Sequence, residues 1–345
     1  MDLEEFKYEL PDSLIAAYPS RDRQDSRLLV VIRSTGEIIH SVFSELGNFL
    51  DSGDLLVLND AKVFPARLRG TKESGGKVEV LLIERFPGER SLWIALVDAA
   101  KRPAVGSQIR FNEEMTARVM GDLGRGRFGL EFHHPGDFNE QLQALGEPPL
   151  PHYITRTRRT AELDWERYQT VYAAHPGAVA APTAGFHFTA DLFAALKARG
   201  IKRTLLTLYV GPGTFQPVRE KLIEKHRMDG ERYVLPAETA ARINRTKQNG
   251  HRVVAVGSTS TRTLEWVAQQ RGKVEADQGI ARLFIRPGES FRVVDALITN
   301  FHLPASTPLM LTVAFAGREL VRRAYAEAIA MRYRFYSYGD AMLIL

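Results

Sequence analysis

The sequence contains no cysteine. This absence excludes disulfide bonds, thiolate zinc sites, iron–sulfur clusters and cysteine nucleophiles. The sequence also has no apolar run long enough to span a membrane. The first ten residues, MDLEEFKYEL, are acidic and lack the apolar core of a secretory signal. We therefore expect a cytoplasmic protein without a membrane segment.

Several common catalytic and binding motifs are absent as well. The chain has no GxSxG turn, so a nucleophilic serine of that kind is not supported. Gly124, Gly126 and Gly129 match the GxGxxG spacing of dinucleotide-binding turns, but the residues that follow, LEFHH, predict a strand where that motif needs a helix. We interpret these glycines as a hairpin turn. The histidine spacings match no standard metal motif, and we expect no metal site.

The composition is that of an ordinary globular protein, with 44% hydrophobic and 25% charged residues among 345. This length exceeds the usual size of a single hydrophobic core, which favours two domains. The net charge of +5 suits a polyanionic partner such as RNA without requiring one.

Two regions of the sequence differ in their pattern of apolar and polar residues. After residue 200, helical patterns such as PAETAARINRTKQNG alternate with buried strand patterns such as RVVAVG, which predicts a largely parallel α/β sheet. Residues 62–150 instead hold short apolar runs separated by glycine, proline and charge, as in a β-barrel. We predict an α/β domain formed by 1–61 and 151–345, interrupted by an inserted β-barrel domain at 62–150.

The segment GAVAAPTAGFHF, at 177–188, has the small residues of a site wall and then one imidazole. Small side chains let a ligand approach the backbone, so Thr183 and Gly185 are candidate binding residues. His187 precedes a predicted helix capped by Thr189 and is a candidate acid or base. A packed histidine that holds the turn is the alternative.

Two further loops follow predicted strands. In RVVAVGSTSTRTLE, hydroxyl residues stand at a helix start, where free backbone amides bind carboxylates or phosphates, and an arginine follows them. The alternative is simple helix capping. In TNFHLPASTPLML, an amide and an imidazole stand in a loop before a helix. The candidate site residues from these two loops are Ser258, Thr259, Ser260, Arg262, Asn300 and His302.

Two other segments suit RNA. Arg156, Arg158 and Arg159 lie in a proline-stiffened linker and are candidate phosphate contacts, with a solvated charge run as the alternative. YRFYSYGDAML, at 333–343, mixes aromatic and charged residues that could stack on a base. The pattern alone favours a buried aromatic strand near the end of a sheet.

Ten segments, in order along almost the whole chain, resemble the S-adenosylmethionine:tRNA ribosyltransferase-isomerase (QueA) family of queuosine biosynthesis. They include LLVLNDAKVFPARLRG, GAVAAPTAGFHF, VGSTSTRTLE, LITNFHLPASTPLML and YRFYSYGDAMLI. The resemblance implies a transferase that moves and isomerises the ribosyl part of S-adenosylmethionine onto 7-aminomethyl-7-deazaguanine at the tRNA wobble position. The product is epoxyqueuosine, and adenine and methionine are released. S-adenosylmethionine is then a substrate, and we expect no prosthetic group.

This chemistry suggests roles for the candidate residues. The sulfonium acidifies the neighbouring 5′ carbon, so a base can remove its proton, and adenine leaves better when it is protonated. His187 or His302 would serve as base or acid. Arg262 or the turn at 258–260 would hold the methionine carboxylate, and Asn300 would orient the ribose or the adenine. The partner would be tRNA bearing the modified base. A monomer is favoured, although the sequence leaves the oligomeric state open.

The chain departs from the family pattern at Tyr209 and Asp229, where members usually have histidine, and at His152 and Glu289. Loss of both histidines suggests a compensated site or a changed acceptor. Two alternatives therefore accompany the leading prediction. One is a relative that binds tRNA without catalysis, and the other is a transferase that modifies another acceptor.

Overall fold

The structure, a computed structural model, describes residues 1–86, 88–89, 91–150, 154, 165–215 and 218–345, with backbone only at 214 and 215. The predicted phosphate contacts Arg156, Arg158 and Arg159 lie outside the described residues. Contacts divide the chain into two compact units. One comprises Met1–Ala61, Pro151–His175 and Ala181–Leu345, and the other comprises Lys62–Leu150 and Pro176–Ala180.

The first unit holds a nine-stranded sheet in the order β15-β13-β12-β3-β14-β16-β17-β1-β2. Its strands are β1 (Arg27–Ile32), β2 (Glu37–Val42), β3 (Leu55–Asn59), β12 (Lys202–Leu208), β13 (Glu231–Leu235), β14 (Val253–Val256), β15 (Asp277–Ala281), β16 (Ala296–Asn300) and β17 (Ala341–Ile344). The run β12-β3-β14-β16 is parallel throughout, with Leu55 between Lys202 and Val253. The outer strands β2, β13 and β15 pair antiparallel to their neighbours.

The helices of this unit match the alternating pattern of the sequence. They are α2 (Ala190–Ala198), α3 (Ala237–Gln248), α4 (Gly257–Arg271), α5 (Thr307–Ala316) and α6 (Arg318–Ala330). Short 3-10 helices cover Leu3–Phe6, Asp12–Leu14, Arg23–Asp25, Phe43–Asn48, Thr183–Gly185, Pro212–Phe215 and Ile223–Lys225. Every residue of β3, β14 and β16 is buried, as expected for central strands covered on both faces. Their apolar side chains form a core with Phe188 and Leu192.

The second unit contains a closed barrel in the order β10-β7-β6-β5-β8-β9. Its strands are β5 (Arg67–Lys72), β6 (Lys77–Arg85), β7 (Leu92–Asp98), β8 (Gln108–Arg110), β9 (Thr116–Gly124) and β10 (Arg127–His133), and helix α1 (Phe138–Leu145) follows them. Inward-facing residues alternate along β6 and fill the interior with Trp93, Phe128 and Phe132. Strands β4 (Ala61–Val63) and β11 (His175–Ala178) form a separate two-stranded sheet.

The hairpin interpretation of the GxGxxG match is confirmed. Gly124, Arg125 and Gly126 have φ angles of 81°, 53° and 78°, and they connect the antiparallel strands β9 and β10. Left-handed backbone of this kind is characteristic of tight turns. The predicted fold class, an α/β sheet with a β-barrel, is also confirmed, and the large sheet is mixed with a parallel centre. Among the described residues, no helix is long and apolar enough to cross a membrane.

Candidate active site

A cavity of about 190 Å³ lies where β12, β14 and β16 end. The loops after these parallel strands meet at one edge of the sheet, which is where ligands bind in open α/β folds. The cavity lining includes five residues predicted from the sequence: Thr183, Ser258, Thr259, Asn300 and His302. The other four described candidates, Gly185, His187, Ser260 and Arg262, are not part of this lining.

Gly257 opens helix α4 beside the cavity. Its φ of 86° lets the chain turn sharply from β14 into the helix, and an added Cβ would lie 3.4 Å from the Cβ of Ala184. The helix therefore begins at the cavity with its first backbone amides, which have no partner within the helix. Within the described part of the chain, the Thr259 hydroxyl is buried and has no hydrogen-bond partner. This helix start suits an anionic ligand group.

The other hydroxyl groups in the first turns of helix α4 are not part of the cavity lining, apart from that of Ser258. Thr261 and Thr263 donate to the carbonyl oxygens of Gly257 and Thr259, at 3.1 and 3.0 Å, and so remain within the helix. The Ser260 hydroxyl is fully buried and, among the described residues, has no hydrogen-bond partner.

Arg262 lies behind the cavity lining in a buried ion pair with Glu231 on β13. Its Nε also donates to the carbonyl oxygen of Leu283 at 3.0 Å. The other carboxylate oxygen of Glu231 accepts from the amide of Gly211 at 3.0 Å. This pair thus fixes the start of the loop that follows β12, and one guanidinium nitrogen, Nη2, has no partner among the described residues.

Asn300 joins the cavity to His187. Its Oδ1 accepts from the hydroxyl of Thr183 at 2.8 Å, and its Nδ2 lies 3.2 Å from Nε2 of His187. Because Nδ2 can only donate, Nε2 of His187 accepts and Nδ1 carries the proton. Burial lowers the pKa of His187 to about 3, with smaller contributions from the charges of Arg23 and Arg334. The imidazole is therefore neutral at pH 7 and packs 4.9 Å from the ring of Phe43.

His302 reaches the cavity directly. Its Nε2 lies 2.7 Å from the hydroxyl of Thr299, and burial lowers its pKa to about 3. Its backbone is held on both sides, because its amide donates to the Tyr325 hydroxyl at 3.0 Å and its carbonyl accepts from the Tyr8 hydroxyl. The imidazole is therefore neutral at pH 7 and cannot donate a proton as imidazolium, and the same burial makes it a weak base in this environment.

Gly185 has a packing function in this structure. An added Cβ would lie 2.0 Å from the hydroxyl oxygen of Tyr172 and 2.8 Å from the methyl of Thr170. Only a residue without a side chain fits there.

Some residues of the cavity lining were not predicted from the sequence, and the aromatic segment at 333–343 is not the continuous strand that its pattern favours. Only Ala341–Ile344 of it forms a strand, and the preceding residues form a turn in which Tyr336 has a φ of 75°. Tyr336 and Ser337 line the cavity. A positive φ at a bulky residue cannot be read from a sequence.

Two of the four positions at which the sequence departs from the expected family pattern, Tyr209 and Asp229, lie on the loops near β12 and β13. Tyr209 follows β12, and the guanidinium of Arg232 lies 3.8 Å from its ring centre. Asp229 lies against Gly213, where an added Cβ would approach its Oδ2 to 2.8 Å. Among the described residues there is no group of three or more side chains that could hold a metal ion.

A family model described as queuosine biosynthesis protein matches residues 3–344. The chain belongs to this family. It is 49% identical to the S-adenosylmethionine:tRNA ribosyltransferase-isomerase of Trichlorobacter lovleyi over 345 residues, which covers all of both chains. The enzyme of the same name from Caldanaerobacter subterraneus is 47% identical over 347 residues, again covering all of both chains.

The solved structures include a relative in the queuosine biosynthesis protein family. The S-adenosylmethionine tRNA ribosyltransferase of Thermotoga maritima is 38% identical, with a TM-score of 0.56, covering 99% of this chain and all of that one. The family resemblance read from the sequence is therefore confirmed.

Proposed function

We propose that this chain transfers and isomerises the ribosyl moiety of S-adenosylmethionine onto 7-aminomethyl-7-deazaguanine in tRNA, giving epoxyqueuosine, adenine and methionine. The observation that carries the proposal is the cavity at the ends of β12, β14 and β16, which brings together five predicted residues in a chain that the family model matches over residues 3–344. The protein would act as a monomer in the cytoplasm, where tRNA is found.

His302 is the better candidate for the base. It lines the cavity, whereas His187 reaches the cavity only through Asn300. A neutral imidazole can take the proton from the 5′ carbon next to the sulfonium, leaving a carbanion that the positive sulfur stabilises. The electron pair of the carbanion would expel the ring oxygen from the 4′ carbon, and that oxygen would form a 1′ aldehyde as adenine leaves with a proton. The uncharged aminomethyl nitrogen would then add to the 4′ carbon. The regenerated 5′ carbanion would bond to the aldehyde carbon, and the resulting alkoxide would close the epoxide as methionine leaves as the thioether. His187 would act as a positioning residue that keeps the Asn300 amide oriented.

The start of helix α4 is the better candidate for the methionine carboxylate. Its amides lie at the cavity together with the hydroxyl of Thr259, which has no hydrogen-bond partner among the described residues. The Arg262 guanidinium is instead paired with Glu231 behind the cavity lining. Asn300 lines the same cavity and would orient the ribose or the adenine. Arg156, Arg158 and Arg159, outside the described residues, would add phosphate contacts to tRNA.

The proposed function is tested by measuring two products, adenine and epoxyqueuosine, in the same reaction. Purified protein, S-adenosylmethionine and tRNA bearing 7-aminomethyl-7-deazaguanine are incubated, adenine release is followed, and the nucleosides are analysed by mass spectrometry. Epoxyqueuosine and adenine should appear together. Adenine without the nucleoside would indicate another acceptor, and neither product would favour a protein that only binds tRNA.

His302→Gln separates catalysis from binding. Loss of a general base typically costs 10²–10⁴-fold in rate, so turnover should fall by about that factor while tRNA affinity stays unchanged. The matched control is His133→Gln, at an exposed barrel position. Equal rates for His302→Gln and the unchanged protein would reject the assignment.

A further inference from the structure

A second, much smaller cleft, of about 10 Å³, adjoins the turn that contains Ser337. Arg23, Arg167, His187 and Tyr338 line this cleft, which we call the arginine cleft. Ser337 lines both the arginine cleft and the cavity. The two openings are therefore direct neighbours.

The two arginines of the cleft are held in place by backbone carbonyl groups. Arg23 donates to the carbonyls of Phe186 at 3.2 Å and Glu166 at 3.0 Å. Arg167 donates to the carbonyls of Arg21 at 2.9 Å and Ser20 at 2.7 Å. These contacts fix the direction of each guanidinium without neutralising its charge.

Positive charge predominates around the cleft. In the part of the chain that the structure describes, neither Arg23 nor Arg167 forms a salt bridge with a carboxylate. Burial, and then the neighbouring charge of Arg167, hold the pKa of Arg23 below its usual range. Arg334 is half-buried nearby, and its guanidinium donates to the carbonyl of Tyr18. The carboxylates of Glu166 and Asp340 offset only part of this charge.

The cleft also has spare hydrogen-bond donors. A guanidinium carries five N–H groups, of which the carbonyl contacts use two in each arginine. Nε of Arg167 is buried, so a ligand in the cleft would meet the remaining Nη N–H groups of the two arginines. Guanidinium groups that are fixed in this way, and that have unused donors and no carboxylate partner among the described residues, match the oxygens of a phosphate.

We propose that Arg23 and Arg167 bind a backbone phosphate next to the modified nucleotide of tRNA. The inference rests on the proposed function, because a nucleotide whose base enters the cavity carries its phosphates just outside, at the neighbouring arginine cleft. The methionine carboxylate is the other anion of the reaction, and the start of α4 is already available for it inside the cavity. The arginine cleft would thus set the register of the anticodon loop.

The experiment measures tRNA affinity over a range of salt concentrations for Arg23→Gln, Arg167→Gln and the double variant. Losing one phosphate contact should weaken binding about tenfold and lower the slope of log K against log salt by roughly 0.7 to 0.9. Affinity for S-adenosylmethionine, measured without tRNA, should not change. Arg242→Gln, an exposed arginine paired with Glu238 on α3, is the matched control and should keep the full slope.

A second measurement uses the unchanged protein, in case the variants fold poorly. An arginine-specific dicarbonyl reagent is applied with and without the tRNA anticodon stem-loop, and peptides are analysed by mass spectrometry. Protection of Arg23 and Arg167 by the RNA, but not by S-adenosylmethionine, supports the proposal.

Two results would overturn the inference. One is an unchanged salt slope together with equal labelling in the presence of RNA. The other is weaker S-adenosylmethionine binding with normal tRNA affinity, which would assign the arginines to the carboxylate. Both results are distinguishable from failure of the proposed function, which would appear as absence of epoxyqueuosine with the unchanged protein.

Discussion

Asn300 and His187, 113 residues apart in the sequence, meet at 3.2 Å through the amide nitrogen and Nε2. The opposite end of the same amide accepts from Thr183, so three side chains form one chain of hydrogen bonds that ends at the cavity. The arrangement fixes which end of the amide faces each partner. A substrate group at Asn300 would therefore meet an amide that is already oriented.

Replacing Asn300 by alanine should impair both stability and turnover. His187 and Thr183 would lose their partner, and a buried polar group left unpaired costs about 1–3 kcal/mol. Urea unfolding gives the stability, and adenine release gives kcat/KM for S-adenosylmethionine, which should fall. Asn244→Ala, which removes a hydrogen bond to the carbonyl of Val274, is the control and should keep normal kinetics. Normal kinetics in Asn300→Ala would remove the residue from the substrate site.

Breaking the Arg262–Glu231 pair should destabilise the protein strongly. Both side chains are buried, so Arg262→Met leaves an uncompensated carboxylate at a cost of about 3–5 kcal/mol. The double variant Arg262→Met, Glu231→Leu should recover part of this loss. Arg271→Met breaks a pair with Asp277 in which the arginine is half-exposed, and should cost less than about 1 kcal/mol. Equal, small losses at both positions would contradict the buried pair.

Stability should fall as the pH falls below about 6.5. The pKa of both His187 and His302 is lowered to about 3 in the folded protein, so each binds a proton on unfolding between pH 6.5 and 3. Their contribution is complete above pH 6.5 and is lost as the pH decreases. Each histidine should add a slope of about 1.4 kcal/mol per pH unit within that window. Urea unfolding from pH 7 to 5 should show a shallower slope in His302→Gln, and an unchanged slope would mean that His302 is accessible to protons.

Gly185→Ala should destabilise the protein, because the new methyl would overlap the hydroxyl of Tyr172. That hydroxyl is buried and has no hydrogen-bond partner among the described residues, so Tyr172→Phe alone should cost little. Combining the two changes should restore much of the loss, in the range of about 1–3 kcal/mol that overpacking costs. Thermal melts of the four proteins give the coupling. If the effects simply added, the close approach would not be the cause.

The sequence allowed prediction of the family, the fold class and the edge of the sheet where the cavity lies. Two buried strand patterns, one ending just before Gly257 and the other at Asn300, were sufficient to predict this edge, because the carboxyl ends of parallel strands meet at one edge of a sheet. The domain bounds 62–150 and the phosphate contacts at 156, 158 and 159 remain predictions.

The direction in which each side chain points could not be predicted from the sequence. Whether His187 or His302 faces the cavity depends on how each ring packs, and His187 lies against Phe43 from a distant segment. Arg262 forms an ion pair with Glu231. Glu231 lies close to it because β13 pairs antiparallel with both β12 and β15. Arg23 lies in a polar run, SRDRQDSR, that gives no signal of its proximity to the site.

The position of β17 in the sheet also affects how the chain folds during synthesis. Strand β1 joins the sheet only through β17, since its other neighbour is β2 at the edge. About 310 residues separate the two strands, and at 5–20 residues per second a ribosome needs roughly 15 to 60 s to make them. During that time the hairpin of β1 and β2 emerges without its partner strand and exposes apolar residues such as Leu29 and Val31. Nascent chains that stop before Ala341 would therefore depend on holding chaperones to keep this hairpin from aggregating.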